Sequence, residues 1–188
     1  MTAGRLLLTP EDKDAAARVR RLRGLGLGER AEPELDAFAQ RVAALAAVPC
    51  AMVNFIDGHR QFFAGLHQVD GRPLPAPAPD GDGEGAGPVR ELGREYGFCP
   101  HVVVRRKALV LEDVRDYPRF AGNPAVDELG VRSYLGAPLV DRTGIALGTV
   151  CAIDVQPRPW GRAGLETIKE LAAELAELLG RRESGAVH

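Results

Sequence analysis

SYLGAPLV (Ser133–Val140) and IALGTVCAID (Ile145–Asp154), joined by Asp141-Arg142-Thr143-Gly144, decide the fold. Each run is apolar and of strand length, and the residues between them are turn formers with a glycine for a positive-φ position. The pair reads as a β-hairpin. Gly136 and Gly148 sit inside the two runs. Glycine weakens an ordinary strand, and within one it marks a bulge or a close approach by other atoms. The hairpin is therefore expected to form one wall of a site.

The remaining elements are placed outward from this hairpin. Thr9-Pro10-Glu11-Asp12 has the chemistry of a helix start, and Gly24, Gly26 and Gly28 end the helix after about Arg23. Residues 1–31 thus read as an N-terminal helix and a Gly-rich linker. A second helix starts near Pro33, with Leu35, Phe38, Val42 and Leu45 as an apolar stripe. Cys50–Ile56 and Arg60–Leu66 form a strand pair around Asp57-Gly58. Residues 71–88 are dominated by Pro, Gly, Ala and Asp, and read as a flexible insertion. A short helix is expected over Pro88–Tyr96, then Phe98-Cys99-Pro100-His101 leading into the apolar Val102–Val104, and a strand at Leu109–Leu111. Two helical turns begin at Tyr117-Pro118 and Asn123-Pro124, the latter with an asparagine cap. A helix over Arg162–Arg181 carries Leu165, Ile168, Leu171, Leu175 and Leu178 on one stripe, and residues 183–188 read as a disordered tail.

Bulk properties narrow the class. The chain has 188 residues, 45% of them hydrophobic, and a net charge of −2. That is enough for one substantial core, without the basic field that nucleic acid or an anionic membrane would require. No apolar run approaches the roughly 20 residues of a membrane span. Met1–Pro10 lacks the layout of a signal peptide, and three widely spaced cysteines do not make a disulfide framework. A cytoplasmic protein is expected.

Four blocks in order resemble the GAF domain family of small-molecule and redox sensory modules. They are V-P-C-A-M-V-N-F-I-D-G-x-R-Q-F-F-A-G-L, the Phe98-Cys99 pair, L-V-L-E-D-V-R-D-Y-P-R-F-A-G-N-P-A-V, and Y-x-G-A-P-L … G-x-x-L-G-T-V-C-x-I-D. The resemblance implies an α+β fold over residues 32–182. An antiparallel sheet of five or six strands would have the terminal helices on one face and a loop-roofed pocket on the other. It also implies a homodimer through those helices.

Candidate chemistry centres on Cys99 and His101. A cysteine beside an imidazole suits a lowered-pKa thiolate, although free cysteine also serves as a small buried hydrophobe. A metal would need a third ligand, and His59, His67 and His188 lack ligand spacing, so no metal site is assigned. Cys151 and Cys50 are the possible redox partners of Cys99. The family's bilin binders attach chromophore at a cysteine directly followed by histidine. Pro100 intervenes here, which argues against covalent bilin, and the family's cyclic-nucleotide signature is not recognisable. By the resemblance, Tyr96, Phe98, Cys99, His101, Tyr117, Phe120, Arg132 and Tyr134 form the ligand-binding set, with Arg119 and Arg132 able to fix an anion. The same aromatics could equally fill a second core. The reading is a stand-alone sensory module that binds an unidentified small molecule or responds to redox state. It would signal to a partner protein through its terminal helices. Two alternatives stay open: a cysteine-based free methionine-R-sulfoxide reductase-like enzyme using Cys99 and Cys151, and a pure interaction module with an occluded pocket.

Overall fold

The computed structural model describes residues 9–69 and 89–185. The expected insertion over 71–88 lies outside the described residues, as do residues 186–188. Along the described chain the helices are α1 (Ala15–Leu25), α2 (Pro33–Ala46), α3 (Cys99–Arg105), α4 (Pro118–Ala121), α5 (Pro124–Leu129) and α6 (Gly161–Gly185). The strands are β1 (Cys50–Ile56), β2 (Arg60–Gln68), β3 (Glu91–Gly93), β4 (Leu109–Leu111), β5 (Ser133–Val140) and β6 (Ala146–Asp154). They form one antiparallel sheet in the order β3-β2-β1-β6-β5-β4.

The β5–β6 hairpin closes as its turn residues require. Asp141 Oδ1 accepts from the Thr143 amide (2.9 Å) and hydroxyl (2.6 Å), and Gly144 takes φ 85°. At Gly148 a Cβ would overlap the main-chain carbonyl of Asn54 on β1, so only glycine lets the two strands approach there. Successive side chains of a strand point to opposite faces, and this sheet uses both. Ala51, Val53, Phe55, Leu147, Val150 and Ala152 join Leu35, Phe38 and Val42 of α2 and Ile168, Leu171 and Leu175 of α6 in one core. Cys50, Met52, Ile56, Cys151 and Ile153 join Phe98, Val102, Val103 and Phe120 in a second core beneath the loops.

Several elements differ from the sequence reading. Helix α1 begins at Ala15 because the Asp12 carboxylate is turned to Arg18, accepting from Nη1 (2.5 Å) and Nη2 (3.2 Å). Arg18 is only 1% exposed, and its Nε donates to the Ala146 carbonyl (2.5 Å). Gly24 lies within the helix. Gly26, at φ 69°, ends it in a Schellman arrangement, with Gly26 N–H on Arg23 O and Leu27 N–H on Leu22 O. Leu22 and Leu27 are both buried against the sheet, so this segment packs rather than serving as a free linker.

In place of a helix over Pro88–Tyr96, Glu91–Gly93 pairs with β2, Arg60 opposite Gly93. Tertiary pairing wins because β2 would otherwise leave its ladder groups open. The Val102–Val104 run belongs to α3, which has Pro100 in its first turn and buries Val102 and Val103 on the loop-side core. Helix α6 continues through Gly185, so residues 183–185 of the expected tail are helical. Its last core contact is Leu179, four residues after Leu175, and Leu178 stays 38% exposed. Leu45 is 57% exposed because, ten residues after Leu35, it sits about a quarter turn off the buried stripe of α2. Among the described residues, no helix is long and apolar enough to cross a membrane.

Candidate functional site

Three neighbouring strands and the start of α3 converge on one sulfur. Register places Met52, Cys151 and Gly136 in one row across β1, β6 and β5, and Asn54, Thr149 and Pro138 in the next. Two residues from Gly136 along β5, Tyr134 lays its ring back over the glycine, where a Cβ would overlap the phenol. The missing side chain is thus the room in which the Tyr134 hydroxyl reaches Cys99. Cys99 is the first residue of α3 and descends onto this floor from the opposite side.

The Cys99 sulfur lies 3.1 Å from the Tyr134 hydroxyl, 3.0 Å from Thr149 Oγ1 and 3.6 Å from the Cys151 sulfur. All four residues are buried. Burial alone would raise the Cys99 thiol, because an anion loses its hydration. Donation from Cys151, Thr149, Tyr134 and Asn54 more than offsets that and brings it down to about 7. The same contact pushes Cys151 the other way, with burial adding to the effect. Of the two thiols, Cys99 is thus the more readily ionised and Cys151 the one held neutral. Cys50, on the same face but without such donors, is pushed by burial up to about 12.

A polar chain leads from the sulfur to the roof. Asn54 Nδ2 donates to Gln61 Oε1 (2.9 Å), and Gln61 Nε2 donates to the carbonyls of Gly93 (2.8 Å) and Tyr96 (2.6 Å). Asn123, the cap of α5, grips Gly97 from both sides, accepting from its N–H (2.8 Å) and donating to its carbonyl (2.8 Å). Arg94, between these anchors, donates to Asp12 (3.4 Å), the carboxylate that also holds Arg18 of α1. The roof and the N-terminal helix thus share one anion.

Within this frame is a cavity of about 40 Å³, lined by residues that include Met52, Asn54, Gln61, Phe98, Cys99, Tyr134 and Cys151. Of the residues expected from sequence, Tyr96, Phe98, Cys99 and Tyr134 line it, and Cys151 stands beside Cys99. Phe120 and His101 are one layer out. Phe120 packs edge-on against Phe98 (5.6 Å between ring centres) and against His101 (5.1 Å). Tyr117 is exposed as the cap residue of α4. The Arg132 guanidinium is committed to Asp113 (2.7 and 3.1 Å), and that of Arg119 lies over the Phe120 ring, so neither lines the cavity. Sequence reasoning missed Asn54, Gln61 and Thr149. The available signal was a polar residue at a core-facing position inside an apolar strand.

The GAF domain model of the family matches residues 30–179, and the chain belongs to that family. A cyclic di-GMP phosphodiesterase of Pseudomonas aeruginosa, PA2567, is 29% identical over 153 residues. The match takes in 79% of this chain but only 23% of that protein, so the chain spans about a quarter of its relative's length. The GAF domain of an Acinetobacter phosphoenolpyruvate-protein phosphotransferase superposes with a TM-score of 0.59 at 17% identity, covering 94% of this chain and 99% of that one. Free methionine-R-sulfoxide reductase from Neisseria meningitidis gives 0.59 at 16%, covering 97% and 99%. At these identities the likeness is one of fold.

Proposed function

We propose that this GAF domain is a sensory module whose stimulus is a small hydroperoxide and whose detector is the Cys99–Cys151 pair. The observation that carries the reading is two sulfurs 3.6 Å apart beside a cavity of about 40 Å³. Pockets for drug-sized ligands run from about 300 Å³ upward. The space here suits one or two molecules of the size of water, which favours hydrogen peroxide over a bulky organic ligand.

The chemistry balances within the pair and one peroxide. The Cys99 thiolate attacks one peroxide oxygen, the O–O bond breaks, and hydroxide leaves to become water with the proton that Cys99 had lost. Cys99 is then a sulfenic acid. The Cys151 sulfur next attacks the Cys99 sulfur, the S–O bond breaks, and the departing hydroxide takes the Cys151 proton to form a second water. Two electrons pass from the thiols to the peroxide, and an external dithiol resets the pair by exchange. Bonding requires the sulfurs to close by about 1.5 Å, to the roughly 2.05 Å of a disulfide. That draws the start of α3 toward β6 and moves the roof that Asn123 and Gln61 hold. The Arg94–Asp12–Arg18 link passes the change to α1. The terminal helices, where Leu45 and Leu178 stay exposed, would present it to a second copy or a partner protein. Such signalling requires the two redox states to favour different arrangements.

The same thiols would serve reduction of free methionine sulfoxide, and the small cavity favours the smaller oxidant. Intact mass after treatment with dilute hydrogen peroxide tests the proposal. The expected product has lost two hydrogens, Cys151→Ser instead gains one oxygen at Cys99, and Cys99→Ser does neither. An unchanged mass, or Cys50 reacting as fast as Cys99, would overturn the reading. Sustained consumption of methionine sulfoxide with a dithiol would replace it with the enzymatic one.

A further inference from the structure

Strand β4 stops with Leu109 opposite Gly136, so among the described residues Ala137–Val140 of β5 run on without a strand beside them at this edge of the sheet. Between this bare stretch and α6 is a cleft of about 480 Å³. Its volume falls within the range of small-molecule sites, and no residue is common to it and the thiol cavity.

We propose that this cleft binds a small organic anion with an apolar body and a phosphate or carboxylate group. Pro138, Val140 and Leu165 supply an apolar floor, and Arg106, Lys107 and Lys169 supply three cations at its walls. Many arginines of this chain are committed to carboxylates, as Arg21 is to Asp141 and Glu183, Arg41 to Glu174, and Arg132 to Asp113, while others such as Arg20 and Arg115 stand alone on the surface among the described residues. Arg106, Lys107 and Lys169 have no carboxylate partner among the described residues. Three cations kept apart from carboxylates around an apolar floor are complementary to an amphipathic anion.

The backbone adds a second observation. Arg106 holds φ 58°, a conformation that residues with a side chain rarely adopt, and its N–H closes α3 on the Val102 carbonyl (2.8 Å). Ala47 ends α2 in the same conformation at φ 55°, so this is the left-handed close of a helix, and at α3 it sets Arg106 beside the cleft. Pro138 presents no N–H on the open edge, which disfavours an added peptide strand as the occupant.

Titration calorimetry with naphthyl phosphate tests the site, with naphthol and inorganic phosphate as controls. The expected result is saturable binding of the aryl phosphate, at least about tenfold tighter than either control and weaker at high salt. The Lys107→Glu/Lys169→Glu variant should lose at least about tenfold in affinity. Arg106→Gly, which relieves the positive φ while removing a cation, should bind more weakly although it folds at least as stably. Cys99→Ser should bind as the wild type does, so the result is independent of the redox reading. No saturation by the aryl phosphate, wild-type affinity in the lysine double variant, or lost binding in Cys99→Ser would each overturn the proposal.

Discussion

Replacing Tyr134 by phenylalanine should slow peroxide oxidation of Cys99 at neutral pH while leaving the protein folded. The ring would still lie over Gly136 and pack edge-on against Phe98, with centroids 5.3 Å apart. What disappears is one hydroxyl, 3.1 Å from the Cys99 sulfur. A hydrogen bond to a charged group contributes about 1.5–3 kcal/mol. At about 1.4 kcal/mol per unit, its loss raises the Cys99 thiol by roughly one to two units from its value of about 7. The thiolate fraction at pH 7 then falls from about one half to between roughly a tenth and a hundredth. The oxidation rate should fall about fivefold to fiftyfold. Because the deprotonated form reacts, the rate rises with pH. In the wild type it should level off by about pH 8, and in the variant about one to two units later, at a similar plateau. Rapid quench with a thiol alkylator followed by mass spectrometry, across neutral and mildly alkaline pH, gives the profile. Coincident profiles, or a variant lowered by the same factor at every pH, would refute the view that Tyr134 acts by stabilising the thiolate.

Four further outcomes follow from the same geometry. Under reducing conditions, stability against urea should increase from pH 7 to 9. Cys99 is held below the ordinary thiol value of 9.0, so its contribution is complete above that value and is lost as pH falls through about 7; Cys50 and Cys151, both raised, reverse the trend above pH 9. In Cys99→Ala the rise should vanish. Gly136→Ala should destabilise by about 1–3 kcal/mol through overpacking against Tyr134 and move the oxidation midpoint upward, which melting and the same pH profile would read. Asp12→Asn leaves Arg18 buried without its counter-charge and should cost on the order of 3–5 kcal/mol in denaturant unfolding. Leu175→Ala, in the helix-side core, should cost about 2–5 kcal/mol in the same assay yet leave the Cys99 profile unmoved.

The sheet and its flanking helices were legible because periodicity and turn chemistry are local. The hairpin around Asp141–Gly144, the Asn123 cap and, apart from Leu45 and Leu178, the stripes of α2 and α6 formed where those signals lay. What escaped the sequence depends on distant partners. Glu91–Gly93 is a strand because β2 offers it a ladder, and Arg18 is buried because Asp12 and the Ala146 carbonyl receive it, although it stands in a run of basic residues. At the site, the two cysteines and Tyr134 could be singled out by type. Their meeting required β5–β6 register and the descent of α3, which no spacing along the chain encodes. Arg132 had the chemistry to bind an anion, but Asp113, nineteen positions earlier, claims it.

The alternation of β1 and β6 between two separate cores has a consequence for how such a domain changes over generations. Val53 and Met52 are neighbours in the chain, yet one is answerable to α2 and α6 and the other to the cysteines and the roof. A substitution on the roof side can retune the chemistry without passing through an unfolded ancestor, because the helix-side packing is not consulted. The sheet in effect gives one stretch of gene two separate ledgers of selection. This matches the persistence of the scaffold in proteins that share fewer than one residue in five with this chain.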